Sequence, residues 1–158
     1  PLNAIIWGGK QEKGLWSGTQ NIPVIIGFAK ALELTVKNQN EEKKRLTELR
    51  NKLIDEVLSS IPNAKLNGPK KNRLANNINI SLPNIDAKEF LFHLDEAGIA
   101  CSSGSACDMS KNKISNTLKA IGLSLEQANA SLRFTLGQSN TKNDINKVIK
   151  TITKIYHG

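Results

Sequence analysis

The stretch "NNINISLPNIDAKEFLFHLDEAGIAC", Asn76 to Cys101, changes its repeat in mid-course. Ile78, Ile80 and Leu82 alternate with polar residues, the pattern of a strand with one face buried, and Pro83 ends it. Asp86 then caps a helix that carries Phe90, Leu91, Leu94 and Ala97 at helical spacing and stops at Gly98. Ile99, Ala100 and Cys101 read as a very short strand leading into a loop. A strand, a helix and a strand within one short segment set the class for the rest of the chain.

Outward from this stretch the same alternation continues. "ASLRFTLG", Ala130 to Gly137, places Leu132, Phe134 and Leu136 on one strand face and Ser131, Arg133 and Thr135 on the other. "PLNAIIWGGKQEKGLWSGTQN" is rich in glycine and reads as strand then loop. A helix is expected from Ile22 to Leu34, with Pro23 in its first turn and Val24, Ile25, Phe28, Ala31 and Leu32 at helical spacing. A second is expected from about Glu41 to Ser60, with Leu46, Leu49, Leu53, Ile54, Val57 and Leu58 on one face. Pro62 and Gly68–Pro69 break the chain after it. Further helices are expected from Asn112 to Ile121 before Gly122, after Ser124, and from Asn143 to Tyr156. Short strands interleaved with amphipathic helices make the fold α/β or α+β.

The 158 residues suit one domain with a sizeable core, and a composition of 39% hydrophobic and 23% charged residues is ordinary for a soluble globular protein. No apolar run reaches bilayer length and no signal segment opens the chain, so no membrane association is expected, and two cysteines in a chain of this size make a reducing cytoplasm the default expectation. Pro1, with no initiator Met, reads as the start of a piece of something longer. The net charge of +8 does not imply nucleic acid. Only four of the 22 basic residues are Arg, lysine and asparagine are enriched together, and aromatics at 4% leave few stacking platforms. The basic run "KLNGPKKNR", Lys65 to Arg73, reads as a solvated loop.

Both cysteines lie in "ACSSGSACDMS", Ala100 to Ser110. Two thiols make no disulfide framework, and their spacing, with no histidine nearby, matches no metal site. Cys101 continues an apolar run and reads as a small buried hydrophobe. Cys107 follows small residues and precedes a helix that Ser110 or Asn112 would cap, where a thiolate is favoured. Composition and spacing alone leave Cys107 open between a mobile nucleophile and an inert thiol. Arg133 is likewise open between a surface strand residue and a ligand-binding one, and Thr19 is open as a turn residue after Gly18.

Three motifs together resemble a known family. "CSSGSAC" followed by a helix, "SLRFTLG" farther on, and the N-terminal "GGKQEKGLWSGTQN" are similar to the corresponding segments of cysteine desulfurases, in the same order and at similar spacing. The N-terminal segment is similar to the family's GGGQE-x-G-x-RSGT-x-N, with Lys10 in place of the third glycine and Trp16 in place of arginine. The serine-rich loop resembles the branch with an extended loop.

The resemblance implies the small C-terminal domain, residues 21–158, of an enzyme with the aspartate-aminotransferase-like fold that uses pyridoxal phosphate. Residues 1–20 would then be the end of the large cofactor-binding domain and a dimer-interface loop. It implies that Cys107 is the catalytic nucleophile, taking sulfur from L-cysteine as a persulfide and passing it to an acceptor or scaffold protein in iron–sulfur cluster assembly or tRNA thiolation. Arg133 would grip the substrate carboxylate, and Thr19 would reach across a homodimer to the cofactor phosphate. The Schiff-base lysine belongs to a region that this chain lacks, so the chain alone is expected to be inactive. Lys10 lies outside the family's histidine–lysine motif, and His93 and His157 sit in no catalytic motif. A rival reading is a non-catalytic module that carries sulfur or binds a partner; another is a related selenocysteine lyase.

Overall fold

The computed structural model describes residues 2–103 and 115–158, which form two compact units, Pro1–Gln39 and Asn40–Gly158.

In the first unit the glycine-rich segment folds back on itself. Ile6 bridges Trp16, and the Ser17 amide donates to the Ile6 carbonyl at 3.2 Å. A 3-10 turn, Glu12–Gly14, lies between them, so a single bridge stands where a strand was expected. Helix α1 follows, Ile22–Ser60. The two helices expected here are therefore one. No glycine or proline lies between Ala29 and Ser60, and the polar run "KNQNEEKK" consists mostly of adequate helix formers, so nothing stops the backbone. Val24, Ile25, Phe28, Ala31 and Leu32 are exposed, although their spacing is helical.

The second unit is built on a four-stranded antiparallel sheet of order β1-β2-β4-β3, with β1 Lys65–Leu66, β2 Asn77–Ser81, β3 Ser102–Ser103 and β4 Ser131–Thr135. Register sets the two faces. Ile78 opposes Phe134 and Ile80 opposes Leu132, forming the apolar face. Asn77 opposes Thr135, Asn79 opposes Arg133 and Ser81 opposes Ser131, forming the polar one. The third short strand is Ser102–Ser103 rather than residues 99–101, and Ser102 pairs with Arg133 from the other side. Lys65–Leu66 forms the strand β1, and Asn67 is buried, so the basic run is not wholly a solvated loop.

The apolar face shares one core with Leu46, Leu49, Leu53, Ile54 and Val57 of α1, Phe90 and Leu94 of α2 (Ala87–Glu96), and Ile145, Ile149 and Ile152 of α5 (Lys142–His157). Complete burial of each large aliphatic side chain is worth about 1.5–3 kcal/mol, so this face holds the unit together. The helix boundaries follow local chemistry. Asp86 accepts from the Lys88 amide at 2.7 Å, and Gly98, at φ 72°, takes the left-handed turn that ends α2. Ser124 and Thr141 each form a capping box, at the starts of α4 (Leu125–Asn129) and α5. Among the described residues, α3 spans Asn116–Ala120 with Ser115 as its cap, so the helix begins later than the sequence pattern suggests, and Ser110 and Asn112 lie outside the described residues.

Candidate functional site

The polar face of the sheet is not a solvent face. Ser131 is fully shielded, and Ser81 and Asn67 are 5% and 6% exposed. Asn67, just beyond β1, is their hub: its Nδ2 lies 2.7 Å from Asn79 Oδ1, 2.8 Å from Ser81 Oγ and 3.1 Å from Ser131 Oγ, its two hydrogens shared among the three acceptors. The Asn67 amide also donates to the Asn79 carbonyl at 2.8 Å, fixing the two asparagines through backbone and side chain alike. Buried polar groups persist only when so satisfied.

Arg133 projects from the same face and is half-buried. It lines a cavity of about 430 Å³ together with Asn67, Asn79, Arg73, Ser115 and Thr117. The described lining carries the guanidinium groups of Arg73 and Arg133 and no carboxylate.

The other three arginines have structural work. Arg45 forks onto Glu42, 2.7 Å from Oε1, a charged hydrogen bond that raises the pKa of Arg45 and lowers that of Glu42, and it also donates to the Gly137 carbonyl. Arg50 is buried and donates to the Leu74 carbonyl at 2.9 Å. Arg73 donates to the Asn67 and Pro69 carbonyls, both at 3.1 Å, which pins the cavity wall, and its burial and the nearby Arg50 charge lower its pKa. The Arg133 guanidinium alone has no hydrogen-bond or ion-pair partner among the described residues. A half-buried guanidinium facing a cavity with no acid in its described lining is suited to a carboxylate supplied by a ligand, held through two parallel N–H donors.

Cys107 lies outside the described residues. Cys101 is half-buried against the core, and burial pushes its thiol up to about 12, which makes it inert at neutral pH. Thr19 lies in the first unit, exposed, directly after Gly18, whose φ of 147° is one that side-chain-bearing residues rarely adopt. Lys10 is exposed in a turn, and Trp16 is 55% exposed. His93 contacts Glu96 at 3.2 Å and His157 contacts the Ser60 carbonyl at 3.3 Å, both as ordinary surface pairs.

The sequence pattern did not single out the asparagine–serine network. Its signal was there: β2 alternates isoleucine with Asn77, Asn79 and Ser81, small amides and a hydroxyl rather than the lysine and glutamate of a solvated face.

The Arg133 cavity has no amine in its described lining to bond an aldehyde cofactor and no carboxyl group to face a pyridine nitrogen. These residues fit a small carboxylate. They do not make a pyridoxal phosphate site by themselves.

The chain belongs to the class-V aminotransferase family, whose profile it matches over residues 7–148. It is 43% identical over 154 residues to "Cysteine desulfurase IscS" of Dictyoglomus turgidum, covering 98% of this chain and 39% of that protein. It is 44% identical over 151 residues to "Cysteine desulfurase IscS 1" of Archaeoglobus fulgidus, covering 96% of this chain and 39% of that one. Among solved structures, a NifS-like protein superposes with a TM-score of 0.84 at 31% identity, over 99% of this chain and 40% of its own. The NifS-like protein of Rickettsia africae gives 0.81 at 33% identity, over 99% of this chain and 40% of its own. The mixed helical and antiparallel fold agrees with the α/β or α+β expectation. The chain spans about 39% of the length of the curated relatives it matches.

Proposed function

We propose that this chain is the C-terminal part of a cysteine desulfurase, with residues 21–158 as its small domain and residues 1–20 as the end of the large one. The observation that carries the reading is Arg133, half-buried beside a cavity with no acid in its described lining and without a protein partner among the described residues. It is supported by likeness to proteins named cysteine desulfurase over nearly the whole chain.

In this reading Arg133 holds the α-carboxylate of L-cysteine and Cys107 accepts its sulfur. The net change balances without an outside oxidant: L-cysteine and the Cys107 thiol become L-alanine and a Cys107 persulfide. The Cβ–S bond breaks, an S–S bond forms, Cβ is reduced to a methyl group, and the sulfur bonded to it is oxidised. Small residues around Cys107 suit a nucleophile that must reach substrate and then an acceptor. Pyridoxal phosphate is assigned to residues beyond this chain, with Thr19 reaching its phosphate across a homodimer; the chain alone is inactive. The acceptor is a protein of iron–sulfur cluster assembly or tRNA thiolation, in the cytoplasm.

The test is Cys107→Ser in the complete enzyme. Persulfide and alanine formation should be lost while the absorbance of the bound cofactor is retained, because only the nucleophile is missing. Cys101→Ser should keep most of the activity. Equal loss from both, or turnover without Cys107, overturns the assignment.

A further inference from the structure

Asn79 stands opposite Arg133 in the β2–β4 register, and both line the same cavity. Its amide is already half committed. The Ser81 and Ser131 hydroxyls donate to the Gln127 carbonyl and therefore accept from Asn67 Nδ2; that same NH₂ faces Asn79 Oδ1 at 2.7 Å, which leaves the Asn79 NH₂ group as the free end. That NH₂ has no acceptor among the described residues. Asn67 cannot turn away, since it is buried, tied to Ser81 and Ser131 as well, and its own carbonyl is held by Arg73.

We propose that Asn79 is a second binding residue of the carboxylate subsite, its Nδ2 donating to the substrate α-carboxylate beside the Arg133 guanidinium, with Asn67 as the residue that positions it. The proposal deepens the desulfurase reading and rests on it. Cross-strand neighbours on one sheet face lie about 5 Å apart at Cβ, a separation that lets two side chains converge on one small anion. A carboxylate has about four lone-pair sites, so a bidentate arginine leaves room for a further donor. The acid-free described lining removes any protein competitor for either donor.

Asn79→Asp in the complete enzyme keeps an oxygen to accept from Asn67 and replaces the outward donor by a negative charge; because that charge also competes for Arg133, the claim requires Asn79→Ala to weaken binding too. KM for L-cysteine should rise about tenfold or more, the effect of one lost hydrogen bond to a charged group. L-Alanine, read by the change in bound-cofactor absorbance on titration, should bind more weakly by a similar factor. The kcat and the melting temperature should stay near those of the parent. Asn79→Ala should weaken alanine binding as well, by less, since it adds no repulsion.

Arg133→Gln is measured in parallel. If it weakens alanine binding while Asn79→Ala leaves binding unchanged, the proposal for Asn79 falls and the desulfurase reading stands. If Arg133→Gln leaves alanine binding unchanged, the functional reading falls and takes the proposal with it. A lowered melting temperature with unchanged KM would make Asn79 structural and equally overturn its assignment.

Discussion

Cys101 packs against the core at the edge of the sheet, and burial raises its thiol from an ordinary 9.0 to about 12. A thiol reacts as its thiolate, so in a Cys107→Ser chain Cys101 should be labelled by an alkylating reagent at pH 8 far more slowly when folded than in denaturant. Fast labelling of the native chain would show that residue 101 opens readily to solvent. The same shift has a sign for stability. The folded state holds the proton more tightly, so the contribution is complete below pH 9 and is lost as the pH rises from there toward 12. At this scale the sequence was readable where a residue's neighbours fixed its fate: Cys101 followed an apolar run and packs as a small hydrophobe. Asn67 was not readable, because it sits within a run of lysines and its burial depends on Ser81 and Ser131, which are distant in sequence.

The helices separate what periodicity reports from what the backbone does. Alternation on β2 and β4 gave the core face correctly, since Ile78, Ile80, Leu132 and Phe134 are all buried. The break expected inside α1 is absent, because a polar interval ends an apolar face without ending the hydrogen-bonded ladder, which only glycine, proline or a cap would do. Caps are equally local, and their energies can be compared. The Thr141 hydroxyl accepts from the Asp144 amide, and Asp144 accepts in return from the Thr141 amide at 2.8 Å. The Ser115 side chain makes no such bond at the start of α3. Thr141→Ala should therefore cost about 1 kcal/mol in urea unfolding, and Ser115→Ala no more than a few tenths. Equal losses would mean that the hydroxyl bonds of α5 contribute nothing beyond residue type.

Over the whole molecule, α1 changes character along its length. Every residue from 22 to 40 is exposed, including Val24 at 62% and Phe28 at 71%, whereas Leu53, Ile54 and Val57 are each 1% exposed. The helical hydrogen bonds are of one kind throughout, so packing alone distinguishes the two halves. A helix segment without packing is marginal in water, and its amides open by local fraying at little cost. The amides of Leu53, Ile54 and Val57 open only with the core that includes Ile80, Leu132 and Ile149. Hydrogen exchange of this chain should thus show protection rising steeply along α1. Exchange at residues 25–36 should be fast, while Leu53 to Val57 should be protected at the level of the β2 and β4 amides. Leu53→Ala, which opens a cavity in that core at a cost of about 2–5 kcal/mol, should speed exchange of the second group and leave the first unchanged. Uniform protection from Ile25 to Val57 would show the opposite: the exposed face of α1 gains cover in solution, and the helix opens as one cooperative element.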